Sequence, residues 1–129
     1  MPRIHHVAII CSDYDRSRRF YVEVLGFRVI REVYREARAS WKCDLDAGNA
    51  QIELFSFPSP PPRPSYPEAA GLRHLAFAVP DLDAEVARLT DLGIAVEPVR
   101  IDEYTDRRFT FFQDPDGLPL EFYEDGPEV

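Results

Sequence analysis

Two histidines and two glutamates recur in this chain at one fixed separation. Glu53 follows His6, and Glu121 follows His74, by the same 47 residues (53 − 6 = 47 and 121 − 74 = 47). Neutral imidazole nitrogens and carboxylate oxygens together are typical ligands of divalent cations such as Zn²⁺, Ni²⁺, Co²⁺, Mn²⁺ and Fe²⁺. We therefore predict that these four residues bind a single metal ion, whose octahedral shell keeps two positions for water or a bidentate substrate.

The residues around these four also repeat, which favours a duplicated chain. Residues 5–15 read HHVAIICSDYD and residues 73–83 read RHLAFAVPDLD, and the same offset of 68 pairs 51–55 with 119–123. A lone histidine in a strand is more often a hydrogen-bonded structural residue, and a lone glutamate at a strand end is more often solvated. The doubled spacing is therefore what carries the prediction. His5 is the alternative to His6, but it lies outside the repeat and is expected on the helix-facing side.

Each half of the sequence predicts the order β-α-β-β-β. Period-two alternation and turn residues predict strands in the first half at 3–11, 27–37, 40–46 and 50–57, with a helix from the N-cap Asp13 to Gly26. The second half repeats the first strand at 73–79 and predicts later strands at 94–100, 107–113 and 118–124, with a helix from the N-cap Asp81 to Gly93.

Strand alternation predicts where the histidines point. His6 shares a strand face with Ala8, whereas the larger Val7 and Ile9 share the opposite face and suit packing beneath a helix. Small neighbours beside a histidine leave room for a cavity wall. A pseudo-twofold relation between the halves would bring two histidines and two glutamates together, and two adjacent carboxylates without a cation would repel each other.

Composition places the chain among single-domain globular proteins. We predict one domain over 1–129, with a first module at about 1–57, a proline-rich linker at 58–71 and a second module at about 72–125. A formal net charge of -8 argues against nucleic acid or an anionic membrane as the main partner. Two cysteines, no signal-peptide pattern and no apolar run of about 20 residues predict buried free thiols and a cytoplasmic location.

At these motifs the sequence resembles the vicinal oxygen chelate superfamily, and within it the glyoxalase I-like proteins. The resemblance extends over essentially the whole chain. It is carried by HHVAIICSD at 5–13, FYVEVLGF at 20–27, IEL at 52–54, GLRHLAF at 71–77 and DPDGLPLE at 114–121.

The resemblance implies an α+β fold in which two βαβββ modules form a curved mixed sheet around a metal site. It assigns the ligand places to His6, Glu53, His74 and Glu121, and it implies a homodimer, because such sites often form between modules of two subunits. Glutamate at position 53 favours the glyoxalase I-like group. Epimerases of the superfamily often carry glutamine there, and its ring-cleaving dioxygenases typically show two histidines and one glutamate.

The function that the resemblance implies is a metal-dependent lyase or isomerase acting on a small substrate with vicinal oxygens. A 2-oxoaldehyde thiol adduct, reacting through an enediolate, is the example that we favour, with Glu121 as the catalytic base and Glu53 as the second choice. The expected cofactor is one divalent ion, Ni²⁺, Zn²⁺ or Co²⁺, with Mn²⁺ or Fe²⁺ as alternatives. The competing hypotheses are another enzyme of this superfamily, an epimerase or dioxygenase, and a ligand-sequestering resistance-type binding protein.

The substrate side of the site is less specific in the sequence. Segments 33–45 and 55–67 depart from the glutathione-contacting parts of glyoxalase I, so the resemblance does not define the thiol. The candidates for binding an anion, with solvated surface charge as the alternative, are Arg35, Arg38, Arg73 and Arg108. The candidates for an apolar pocket, with core packing as the alternative, are Tyr34, Trp41, Phe55 and Phe57.

Overall fold

The structure is a computed structural model that describes residues 1–126. The chain divides into two compact units, one ending at Pro62 and the other beginning at Arg63. This boundary falls inside the proline-rich segment that the sequence analysis interpreted as a linker. No helix in the described part of the chain has the length and apolar character needed to span a bilayer.

The first unit forms one four-stranded mixed sheet with a helical segment after its first strand. Its elements are β1 (His6–Cys11), α1 (Tyr14–Arg19), a π-helical turn (Phe20–Val24), β2 (Arg28–Arg35), a 3₁₀ turn (Glu36–Arg38), β3 (Ser40–Asp46) and β4 (Gln51–Ser56). The strand order is β1-β4-β3-β2, in which β1 and β4 are parallel and the other neighbours are antiparallel.

The second unit repeats this topology. Its elements are β5 (Leu75–Val79), α2 (Leu82–Asp91), β6 (Arg100–Ile101), β7 (Arg108–Gln113) and β8 (Pro119–Glu124), in the sheet order β5-β8-β7-β6. Strands β5 and β8 are parallel, as β1 and β4 are. Two mixed sheets with few helices confirm the predicted α+β class and the order β-α-β-β-β in each half.

Both helices begin where the sequence predicted, and the second also ends there. The side chains of Asp13 and Asp81 accept hydrogen bonds from the backbone N–H groups of Arg16 and Ala84, each at 3.1 Å, as N-cap residues do. The C-terminal glycine of the second helix, Gly93, has φ +79, a left-handed conformation that glycine adopts without a steric cost. The first helix differs from expectation after Arg19, where it widens into a π-helical turn.

The predicted strand at 94–100 is the largest departure from the expected fold. Only Arg100 and Ile101 pair as a strand, because Pro98 has no N–H with which to extend the ladder. The preceding chain is held instead by two separate contacts with β7. The N–H of Glu97 donates to the carbonyl of Phe111 at 2.9 Å, and the Thr110 hydroxyl donates to the carbonyl of Glu97 at 2.6 Å.

The core of each unit lies on the sheet face that the helix covers. In β1, Ile9 and Cys11 are buried while Ile10 between them is 56% exposed, which confirms the predicted alternation. Both cysteines are buried free thiols, as predicted. The fully buried side chains include Tyr21, Leu45 and Leu54 in the first unit and Leu82, Leu89 and Leu120 in the second.

The two units differ by one residue in the turn before the glutamate strand. Residues 47–50 join β3 to β4, whereas residues 114–118 join β7 to β8. Asp44 therefore lies opposite Glu53, and Phe111 lies opposite Glu121. The repeat offset is 68 for the glutamates but 67 for their antiparallel neighbours (111 − 44 = 67).

Candidate metal centre

The first predicted donor pair is formed by two parallel strands of the first unit. Glu53 of β4 lies opposite Ala8 of β1, one pleat beyond His6, so that both side chains share a face. The Nδ1 atom of His6 is 3.3 Å from Oε2 of Glu53. Glu53 is 8% exposed and His6 is exposed, so the pair consists of a buried carboxylate and an accessible imidazole.

The second predicted donor pair has the same construction in the second unit. His74 directly precedes β5, and Glu121 of β8 lies opposite Ala76. The Nε2 atom of His74 is 3.4 Å from Oε1 of Glu121. The structure thus brings each predicted histidine together with its predicted glutamate inside its own unit.

The carboxyl group of Glu121 favours its protonated form more than an ordinary glutamate does. Partial burial raises the pKa of Glu121, and the neighbouring His74 imidazole opposes that rise without cancelling it. A partly desolvated carboxylate without a full counter-charge gains stability when a cation binds next to it. Its environment therefore suits either a metal ligand or a proton acceptor.

The carboxylate of Glu53 lies in a charged environment. Asp44 is directly opposite on β3 and is also buried, so two carboxylates face each other across the strands. Lys42 compensates both, because its Nζ atom is 2.5 Å from Oδ1 of Asp44 and 3.5 Å from Oε1 of Glu53. Arg31 adds a second cation, with Nη1 at 3.5 Å from Oδ2 of Asp44.

The carboxylate of Glu121 lies instead beside aromatic rings. Phe111 is opposite it on β7 and contacts His74 edge to face, with ring centroids 5.0 Å apart. Arg100 covers this aromatic surface, with its Cζ atom 5.2 Å from the Phe109 ring centroid and 5.6 Å from that of Phe111. His74, Phe111 and Arg100 line one open cleft of about 600 Å³ in this unit.

His5 is placed differently from the sequence-based expectation. It is exposed and precedes β1, and its Nδ1 atom is 2.9 Å from Nδ1 of His6. His5, His6 and Glu53 each offer a ligand atom within 4.8 Å of the others. The expectation that His5 faces the helix was therefore wrong, because its imidazole lies beside the side chains of His6 and Glu53 on the donor side.

The four arginines that were candidates for binding an anion fall into different environments. Arg108 is occupied by Glu124 and Asp83, whose oxygens are 2.9 Å and 3.1 Å from its nitrogens. Those hydrogen bonds raise the pKa of Arg108 above its ordinary value.

Arg73 is largely exposed and 4.0 Å from a Glu68 oxygen. Arg35 and Arg38 instead lie over aromatic rings on the Glu53 side of β4.

The four candidate pocket aromatics divide between the two faces of the first sheet. Trp41 stacks on Tyr14 of α1, with ring centroids 5.2 Å apart, and Tyr34 is 5.1 Å from Trp41, so both lie on the helix side. Phe55 shares the face of Glu53 and stacks parallel to Phe57 at 6.2 Å. None of the four is buried in the core.

Sequence reasoning missed the side chains that surround the two glutamates. Lys42 and Asp44 alternate along β3 with buried Cys43 and Leu45, so the period-two pattern of that strand contained the signal. Arg100 had no such signal, because its position depends on the short β6 pairing, and the repeat offset of 68 did not indicate Phe111, because the register of β7 differs by one residue. The donor set itself, two imidazoles and two carboxylates without a thiolate, fits a borderline or hard divalent cation.

Comparison with known proteins agrees with the fold described above. The family model described as Glyoxalase/Bleomycin resistance protein/Dioxygenase superfamily matches residues 3–122. The Escherichia coli (strain K12) protein YaeR is 60% identical over 125 residues, covering 96% of this chain and 97% of its own. A lactoylglutathione lyase of Haemophilus influenzae is 29% identical over 95% of this chain and 92% of its own. The crystal structure of SMU.1112c is similar with a TM-score of 0.92 and 51% identity, covering 96% of this chain and 99% of that one.

Proposed function

The chain belongs to the glyoxalase/bleomycin resistance protein/dioxygenase superfamily, and from that premise we propose that it is a metal-dependent enzyme of the glyoxalase I type. Members of this superfamily commonly bind a divalent metal and a small-molecule substrate, and they often form dimers. The proposed reaction is an isomerisation of a small substrate with two adjacent oxygens, such as a 2-oxoaldehyde thiol adduct, in a homodimeric protein.

One observation carries this proposal. The same histidine–glutamate pair occurs in both units, on equivalent parallel strands, with nitrogen–oxygen distances of 3.3 Å and 3.4 Å. A structural ion pair does not need to recur at the same place after duplication, whereas metal ligands do. We propose that His6, Glu53, His74 and Glu121 hold one ion, and that Ni²⁺, Zn²⁺ or Co²⁺ is the native metal.

In this mechanism the two glutamates have different tasks. A divalent ion held by the four donors would supply Lewis-acid stabilisation of negative charge on the substrate oxygens. Glu121 accepts the proton from the carbon next to the substrate carbonyl and returns it to the adjacent carbon. The raised pKa of Glu121 supports this assignment, since a carboxylate with higher proton affinity is a better base. Glu53, with Lys42 beside it, serves chiefly to bind the cation.

The apolar rings around Glu121 support the same division of tasks. Phe111, which lies opposite Glu121 and contacts the Phe109 ring, would limit water on one side of the carboxylate, which favours return of the proton to the substrate over exchange with solvent. The half-buried His74 contacts the Phe111 ring edge to face, which restricts the orientation of its imidazole.

The test begins with elemental analysis of freshly purified protein, followed by an assay of methylglyoxal hemithioacetals with each metal restored. We expect one metal equivalent per chain and formation of the 2-hydroxyacyl thioester only in the loaded protein. Oxygen uptake with bound iron or manganese would instead support a dioxygenase. Tight binding of a ligand without turnover under any metal would contradict the enzyme proposal and support a sequestering protein.

The predicted homodimer is tested separately, by sedimentation equilibrium of the metal-loaded protein. A mass close to twice 14.8 kDa is expected, and a monomer that retains full activity would contradict the dimer.

A further inference from the structure

We propose that Arg35 and Arg38 bind an anionic group on the substrate, a carboxylate or a phosphate, at some distance from its two metal-binding oxygens. This inference rests on the proposed function, since it concerns the substrate of the same site. It names a substrate class: molecules with two adjacent oxygens at one end and a negative charge at the other.

The stacked rings of Phe55 and Phe57 place the two arginines on the glutamate side of the first unit. Phe55 follows Glu53 by two residues on β4, so the two side chains share a face. The Cζ atom of Arg35 is 4.9 Å from the Phe55 ring centroid, and that of Arg38 is 5.7 Å from the Phe57 centroid. Ring contacts of this kind hold a guanidinium by its flat face and leave its N–H edge available to an anion.

Neither arginine has a carboxylate partner among residues 1–126. Arg35 donates from Nη2 to the Ser40 hydroxyl at 2.9 Å, and its buried Nε–H has no hydrogen-bond acceptor in the described part of the chain. Arg38 is exposed, and its guanidinium lies over the Phe57 ring. In a chain with 23 acidic residues and a net charge of -8, two such cations beside the site leave a local positive charge to be balanced.

Lys42 lies between the two arginines and Glu53, the proposed metal ligand, and it leaves the positive charge of the arginines unpaired. Its Nζ atom is 5.8 Å from the Phe55 ring centroid and 3.5 Å from Oε1 of Glu53. The charge of Lys42 is already compensated by Asp44 and Glu53. Between Glu53 and the arginines there is one phenylalanine ring, a separation that a small molecule with a short chain can span.

The other candidate cations of the molecule are less suited to this task. Arg100 lies over the rings of the second unit but pairs with Glu97, with a nitrogen–oxygen distance of 3.1 Å. Arg63 donates to the backbone carbonyls of Leu72 and Arg73 at 2.6 Å and 2.9 Å, so it is used to hold the loop before β5.

Equilibrium binding of hydroxamates tests this inference without requiring turnover. A hydroxamate presents two adjacent oxygens that chelate divalent metals, and its alkyl tail can end in a methyl, a carboxylate or a phosphonate group. Calorimetric titration of the metal-loaded protein compares the three tails at each of several chain lengths. At the best length we expect the anionic tails to bind about 10- to 100-fold more tightly than the methyl tail, the range for a hydrogen bond to a charged group.

The variants separate a binding role from a structural one. In R35M/R38M the preference for anionic tails is expected to disappear, while the affinity for the methyl tail is unchanged. In R35K/R38M part of the preference for anionic tails should return. R28M is the matched control, because Arg28 is an exposed cation of the same unit that already pairs with Asp46. If the double variant does not fold, R38M alone is used, since Arg38 is exposed.

The outcomes distinguish this inference from the function on which it rests. Protein that takes up no metal contradicts the proposed function, whereas protein that binds metal and all three tails equally contradicts only the arginine assignment. A preference that survives in R35M/R38M, or the absence of binding by every probe, also overturns the assignment. Tighter binding of the carboxylate than the phosphonate, or the reverse, identifies which anion the substrate carries.

Discussion

Glu53 and Glu121 occupy equivalent positions, each opposite an alanine of a parallel strand and close to a histidine, yet their antiparallel neighbours are opposite in character. Lys42 and Asp44 place charges beside Glu53, whereas Phe111 lies opposite Glu121 and contacts the Phe109 ring. Duplication has preserved the donor atoms and allowed the neighbours to diverge. Under the proposed function, the four donors would be constrained by one shared ion, whereas the residues beside them would be free to make one of the two ligands also a base.

The two glutamates should therefore differ most in catalysis. E121Q should lower kcat by about 100- to 10,000-fold, the usual contribution of a general base, because an amide cannot accept the proton. E53Q should lower kcat far less, since its proposed task is to bind the cation. Steady-state kinetics with metal content measured on the same samples check this comparison. Equal losses of kcat in both variants would show that the different neighbours do not give the two glutamates different catalytic roles.

The two histidines should be equivalent in metal binding, despite their different neighbours. H6A and H74A should each weaken metal affinity by about 100-fold or more, since even residues beside ligands typically contribute about 10- to 100-fold. Competition with a fluorescent chelator measures the affinities. In H6A/E53A the single metal equivalent should be lost altogether. Retention of half of the wild-type metal there, and in H74A/E121A, would mean that each pair holds its own ion.

The charged surroundings of Glu53 should make the first unit depend on Lys42 for stability. K42M leaves two buried carboxylates facing each other and should lower the free energy of unfolding by about 1–3 kcal/mol in the presence of a chelator. Restored metal should reduce this loss, because the cation then compensates Glu53. Urea denaturation measures both, with R28M as the exposed-pair control, for which the loss should be below about 1 kcal/mol. If K42M also lost less than about 1 kcal/mol of unfolding free energy, Lys42 would not have the proposed stabilising role.

Acid stability offers the smallest contrast between the units. The Tyr14 hydroxyl and Arg18 lower the pKa of Glu32 in the first unit, and Arg108 lowers the pKa of Glu124 in the second. Each carboxylate therefore adds stability that is fully present above the ordinary glutamate pKa of about 4.3 and is lost as the pH falls through its lower folded value.

We expect E32Q and E124Q each to reduce the loss of unfolding free energy between pH 7 and pH 3 by up to about 1 kcal/mol, since both pairs are partly exposed. Urea denaturation at the two pH values measures this change. Y14F serves as the control that keeps the Glu32 carboxylate but removes one donor, and it should give a smaller effect in the same direction. Variants with unchanged acid sensitivity would contradict these assignments.

Much of the fold was predictable because local patterns and the repeat agreed. The capping aspartates Asp13 and Asp81, the alternation of β1 and the equal spacing of the donor pairs all point to the same topology. These features depend on contacts close in sequence or on one repeated context, so a single sequence contains them.

The surroundings of the donors could not be predicted in the same way. A constant offset of 68 aligns Lys42 with Thr110, which lies on the opposite face of its strand, because one extra turn residue changes the register of β7. The contact of Arg35 with Phe55 also depends on the 3₁₀ turn at Glu36–Arg38, whose geometry follows from tertiary packing. Pro98 lies within the predicted strand at 94–100, and its missing N–H is the reason that this strand does not form.

The unequal hairpin turns show where the length of this chain can change. Asp114 anchors the longer turn through a carboxylate that accepts from the N–H groups of Asp116 and Leu118, whereas Asp46 anchors the shorter one through Gly48 alone. The alignment of Glu53 with Ala8 is set by parallel pairing with β1, not by the turn. A short peptide tag inserted after Gly48 therefore leaves the donor in place, which makes this hairpin the natural position for attaching a reporter to the working protein.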